Sequence, residues 1–163
     1  MAEMDLFGRI RPDTSGQVIP KPSNLIDAND LVPHDVWVFQ DNGTKVGVTV
    51  AFRLPDNYVG TPVFKWLWRA AGTTGNVVWD VDYKCVGAGE SADPSAYDQS
   101  GTVTDAHAGT AHALNAASFT PTAGNFAAGD LVLLTFSRDC ADAADTMNGV
   151  DAILEALWLD YAT

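Results

Sequence analysis

Positive charge is scarce in this chain: 9 lysines and arginines stand against 21 aspartates and glutamates, a formal net charge of −12 over 163 residues. A surface of that sign repels phosphate, so neither nucleic acid nor an anionic membrane is expected as a direct partner. Long apolar runs are missing too. None approaches the roughly 20 residues of a membrane-spanning helix. The opening MAEMDLFGRI has neither the basic nor the apolar region of a secretory signal, which sets the expectation that the chain is not exported. Cysteine is limited to Cys85 and Cys140, so at most one disulfide could form, and both read more simply as small packed residues. Two cysteines and three scattered histidines do not make the roughly four-ligand set of a zinc site. There is no Gly-x-Ser-x-Gly elbow, no phosphate loop and no dinucleotide fingerprint; Gly87-Ala88-Gly89 is an isolated glycine pair in an acidic loop. The expectation is a protein with no catalytic residues, no cofactor and no metal.

What the chain does have is alternation. From Pro62 to Val86 the sequence reads as two long strands joined by a glycine-rich turn, with Phe64, Trp66 and Trp68 on one face of the first and Val77, Trp79, Val81, Tyr83 and Cys85 on one face of the second. Apolar residues at every second position mark a half-buried strand, because successive side chains point to opposite faces. On the reverse faces, Lys65 and Arg69 oppose Asp80, Asp82 and Lys84, which predicts cross-strand charge pairs within a hairpin. A second hairpin is predicted where DVWVFQ and KVGVTVAFRL flank Asn42-Gly43, with Val46, Val48, Val50, Phe52 and Leu54 on the buried face. GTVTDA and LVLLTFSRD supply further strands, the latter covered on both faces.

The closing VDAILEALWLDYAT is double-natured. Val150, Ile153, Leu154, Leu157, Trp158 and Tyr161 recur at helical spacing. Yet a sandwich of about eight strands needs this segment to pair with an early strand and cover its edge, and strand is the reading adopted. Residues 1–34 contain Pro12, Pro20, Pro22 and Pro33, which preclude a continuous helix or central strand. The fold expected is therefore all-β: a jelly-roll-like antiparallel β-sandwich over residues 35–163, preceded by an extended N-terminal arm over 1–34. Leu6, Phe7, Ile10, Val18, Ile19, Leu25 and Ile26 make that arm apolar, so it must either fill a groove on its own domain or dock on a partner subunit.

Few residues point to chemistry. Asp139, Asp142 and Asp145 recur every third residue but lack the calcium-loop pattern and read as a surface turn. His107 and His112, five apart, read as solvated. The acidic stretch GAGESADPSAYDQSG around Tyr97 is long enough to be a contact loop. Trp66, Trp68, Tyr97 and Trp158 could form a sugar platform, since flat apolar rings with polar edges suit sugars. Because Trp66, Trp68 and Trp79 lie on strand faces opposite charged ones, a core role is preferred for them.

The runs at 52–91 and 127–150 carry an F-x-L-P turn, a W-x-A-x-x-T-x-G-x-V-x-W segment and a late G-D-x-apolar-R-D-x-x-D segment. In these the chain resembles small β-sandwich virion proteins of tailed bacteriophages, either capsid decoration (cement) proteins or tail and fibre accessory domains. The resemblance implies a non-enzymatic homotrimer on the outer surface of the capsid, with the major capsid protein or other virion subunits as partner and the N-terminal arm as the attachment. A carbohydrate- or receptor-binding β-sandwich, for example on a tail appendage, is the alternative.

Overall fold

The alternating runs are strands, but their partners are not the ones their order in the chain suggests. The computed structural model describes residues 2–12, 21–24, 35–93, 96–122 and 125–163. Its strands are β1 (Ala2–Asp5), β2 (Arg11–Pro12), β3 (Lys21–Asn24), β4 (Asp35–Phe39), β5 (Lys45–Arg53), β6 (Val59–Ala70), β7 (Asn76–Val86), β8 (Gln99–Ala106), β9 (Asn115–Phe119), β10 (Leu131–Asp139) and β11 (Ala152–Ala162). The one helical piece among the described residues is a 3-10 turn at Phe7–Arg9. All pairings are antiparallel. A six-stranded sheet runs β3-β4-β11-β6-β9, with β1 also on β11, and a five-stranded sheet runs β2-β5-β10-β7-β8.

Neither predicted hairpin forms. β6 and β7 belong to different sheets, as do β4 and β5, so the Gly72–Gly75 and Asn42-Gly43 turns carry the chain across the sandwich instead of folding it back alongside itself. The physical reason is visible in the core. Trp66 and Trp68 project inward from one sheet and meet Trp79 from the other, with ring centroids 6.3 and 5.9 Å apart. An apolar face can be buried by facing its successor as well as by flanking it. The predicted charge pairs are redistributed accordingly: Lys65 pairs with Asp160, Arg69 with Glu155, and Lys45 with Asp80.

The turn before β7 is pinned by Gly75 at φ 105°, where an added Cβ would sit 2.9 Å from the Thr146 carbonyl oxygen. At the other side of β7, Gly101 of β8 lies under the ring of Phe119 in β9; a Cβ there would fall 2.1 Å from Phe119 Cε2. That contact closes one open side of the sandwich, where an edge of each sheet meets the other.

The C-terminal segment is a strand, and its helix-like spacing has a cause. Its pairing with β6 slips between Leu154 and Ala156, a bulge that flips the phase. Ala152 and Leu154 point inward before the slip, Leu157 and Leu159 after it. Two inward leucines three apart imitate a helical stripe.

The N-terminal segment contributes to both sheets. β1 and the turn after it cover the edge of β11, β2 adds to β5, and β3 pairs with β4. Leu6 is fully buried and Ile10 nearly so, both within the sandwich core, with Phe7 packed against them. Leu6 and Ile10 therefore fill the chain's own core and are not presented for docking, while Phe7 is partly buried against it. Val18, Ile19, Leu25 and Ile26, also expected on the arm, lie outside the described residues.

Candidate functional site

Two adjacent rows on the outer face of the five-stranded sheet are polar and short. Register places Thr49, Thr135, Asp82 and Ser100 in one row across β5, β10, β7 and β8. Beside it, Gly47, Ser137, Asp80 and Thr102 form a second row. Four strands at the usual spacing make each row about 14 Å long. The reason these residues face outward is the alternation itself: Val48, Val50, Leu134, Phe136, Trp79, Val81 and Tyr83 take the inward positions between them.

The second row is tightly organised. Thr102 Oγ1 donates to Asp80 Oδ1 at 2.7 Å. Lys45, which pairs with Asp139 at the end of β5, reaches diagonally to Asp80 Oδ2 at 2.6 Å and lies 3.7 Å from Asp82 Oδ2. Burial works against its charged ammonium, but the hydrogen bond to Asp80 and the carboxylates of Asp80, Asp82 and Asp139 outweigh it, so the Lys45 pKa is raised above the ordinary lysine value. Ser137 has 0% exposure and its Oγ has no hydrogen-bond partner, although the position faces outward.

Tyr97 completes the face. It comes from the acidic loop after β7, and its hydroxyl lies 3.2 Å from Thr135 Oγ1 in the first row. Its side chain remains 45% exposed. The same loop borders a cavity of about 630 Å³ at the end of β7, lined by Lys84, Cys85, Glu90, Asp98, Asn125 and Asp130 among others. Its carboxylates are already in use: Glu90 accepts from the Gly87 N–H, Asp98 from the Cys85 N–H and Asp130 from the Ala127 N–H. They shape the loops. Among the described residues no group of three or more histidines, cysteines, aspartates or glutamates is placed to hold a metal ion. The Cys85 thiol beside the cavity is pushed up to about 12 by burial, and further by Asp98, Asp130 and Glu90, so it is not a nucleophile at neutral pH. Cys85 and Cys140 are both free thiols.

The four aromatics expected as a sugar platform are not brought together. Trp66 and Trp68 are fully buried between the sheets. Trp158 lies on the outer face of the six-stranded sheet, where its Nε1 donates to Asp160 Oδ1 at 3.1 Å. Tyr97 lies on the outer face of the other sheet, so of the four it alone sits on the polar rows.

Two further expectations change. His107 is buried, not solvated: its ring stands edge-on to Trp68 at 5.8 Å and its Nδ1 accepts from the Gly109 N–H. The aspartate triplet is a run of tight turns, as expected, but Asp145 turns inward to form a buried ion pair with Arg138. The three-residue recurrence does not distinguish the inward Asp145 from its two companions. Arg138 did carry a signal, because it continues the inward series Val132, Leu134, Phe136.

No family model and no curated protein matches the sequence. Solved structures do match the fold. A family 35 carbohydrate-binding module from Clostridium thermocellum aligns with 99% of this chain and 100% of its own at a TM-score of 0.54, with 11% identity. Part of an arabinose-bound MgGH51 α-L-arabinofuranosidase aligns with 95% of this chain at a TM-score of 0.52 and 13% identity; the chain spans 23% of that protein. The enzymatically active domain of a bacteriophage CBA120 tailspike protein matches at a TM-score of 0.44 over 94% of this chain and 19% of that one, too distant to carry an argument. The fold is thus a jelly-roll-like antiparallel β-sandwich similar to a carbohydrate-binding module.

Proposed function

We propose that this chain is a non-catalytic carbohydrate-binding β-sandwich whose ligand lies across the outer face of the five-stranded sheet. The observation that carries the reading is the combination on that face of the exposed Tyr97 ring with the row of Thr49, Thr135, Asp82 and Ser100. A sugar offers an apolar ring face and a rim of hydroxyls. An aromatic side chain receives the first, and hydroxyls and carboxylates on a rigid sheet receive the second. The fold comparisons favour this alternative over capsid decoration, for which they offer no support.

Tyr97→Ala is expected to weaken glycan binding about tenfold or more, as loss of an aromatic anchor does at other recognition sites. Trp158→Ala, on the opposite sheet, is expected to leave binding unchanged. Both are checked by calorimetric titration against oligosaccharides selected from a glycan array. Binding by the Tyr97→Ala protein at undiminished affinity, or failure of the parent to bind any glycan, contradicts the reading.

A further inference from the structure

The second row poses a problem that the first does not. Ser137 faces outward yet has no exposure, and its hydroxyl meets no partner. Buried polar atoms are nearly always hydrogen-bonded, and one left alone is destabilising. Its neighbours in the row are Gly47, which contributes no side chain, and Asp80. Lys45 starts one inter-strand step away and ends on Asp80 and Asp82, so its stem crosses diagonally over this part of the sheet. Asp80 and Asp82 are each only 8% exposed. Two carboxylates and an unused hydroxyl thus lie beneath one removable ammonium group.

We propose that Asp80, Asp82 and Ser137 form a subsite for the protonated amine of a 2-amino sugar, and that Lys45 occupies this subsite until such a sugar displaces it. The inference rests on the glycan-binding reading above and names the ligand class. Ammonium for ammonium is a conservative exchange: the ligand amine takes the place of Lys45 Nζ between the two carboxylates, and the released lysine head returns to water on its flexible stem. Ser137 Oγ then gains a partner in the ligand. No covalent step is involved. Charge points the same way, because a chain carrying −12 attracts cationic glycans and repels uronate or sulfated ones. Lys84, the nearest further cation on β7, is turned to the loop, with its Nζ 3.4 Å from the Ala96 carbonyl oxygen, and does not neutralise the pair.

The test compares three probes of equal length on the full chain at about pH 6, where a sugar amine is protonated: a β-1,4-linked glucosamine tetramer, its N-acetylated counterpart, and cellotetraose. The glucosamine tetramer is expected to bind at least about tenfold more tightly than either, a preference that shrinks with added salt. Lys45→Met is expected to tighten binding of the glucosamine tetramer by removing its internal competitor. Asp82→Asn is expected to weaken that binding by a larger factor than it weakens cellotetraose binding, because the amine loses a charge partner there and a neutral sugar loses only a hydrogen-bond acceptor. Equal affinity for the three tetramers, or weaker glucosamine binding in Lys45→Met, overturns the subsite and leaves the glycan reading standing. Binding of no glycan at all overturns both. Should Lys45→Met fold poorly, Ser137→Ala serves as the second variant: it is expected to lower the amine preference, and an unchanged preference counts against the subsite.

Discussion

Arg138→Ala is expected to lower the free energy of unfolding by about 3–5 kcal/mol, the usual cost of removing one partner from a buried ion pair. Arg138 is wholly inaccessible and holds Asp145 through two parallel bonds of 2.9 Å, from Nε and Nη2. It also donates to the carbonyls of Val150 at 2.7 Å and Met147 at 3.2 Å, which fix the segment leading into β11. Without the guanidinium, a carboxylate and these carbonyls are left buried and unanswered. Asp145 has a second task, since its Oδ2 accepts from the Val78 N–H at 3.2 Å. The double replacement Arg138→Met with Asp145→Leu is therefore expected to cost less than the sum of the two single changes, measured by urea unfolding monitored through tryptophan fluorescence. Additive costs would show that the pair is not the element that matters.

A comparable loss, about 3–5 kcal/mol, is expected for Trp79→Ala. Trp79 projects from the five-stranded sheet and touches the opposite sheet through Phe39, Trp66 and Trp68, at centroid distances of 5.3, 6.3 and 5.9 Å. Within its own sheet it stacks on Phe136 at 5.1 Å. It is the ring on which the two layers meet. Its Nε1 has no hydrogen-bond partner, however. Trp79→Phe removes that unanswered donor while keeping most of the ring, so it is expected to cost less than about 1.5 kcal/mol. Similar losses for the alanine and phenylalanine variants, read from the same unfolding curves, would contradict this account of the core.

Much of the architecture could be read from the sequence because one physical signal, apolar alternation, is local. It correctly put Trp66, Trp68, Trp79 and Tyr83 inward and made β5, β6, β7 and β10 strands. Alternation does not say which strand lies alongside. A run such as 62–86, apolar on one face of each half, satisfies burial equally as a hairpin or as two strands facing one another, and Asn42-Gly43 served a crossing between sheets as well as it would have served a hairpin. The bulge after Leu154 was hidden for a related reason: a phase change inside one strand looks like a change of period.

The candidate site was less legible. Asp80 and Asp82 read as charge partners of Lys65 and Arg69 within a hairpin, and only the pairing of β5, β10, β7 and β8 brings them to Lys45, Thr135 and Ser137. Tyr97 was singled out for its loop, but its place on Thr135 is a contact across 38 residues. Of the tryptophans named with it, Trp66 and Trp68 were the stronger sequence signal and proved to be core, since the sandwich needs large rings between its layers more than on its surface.

The central claim is that ligand lies on the outer face of the five-stranded sheet, and amide chemical-shift mapping during titration with a binding oligosaccharide tests it most directly. The account predicts that the shifting amides cluster at Thr49, Asp82, Tyr97, Ser100, Thr102 and Thr135. Shifts clustered instead around Lys65, Ser118 and Trp158, on the outer face of the other sheet, would contradict it.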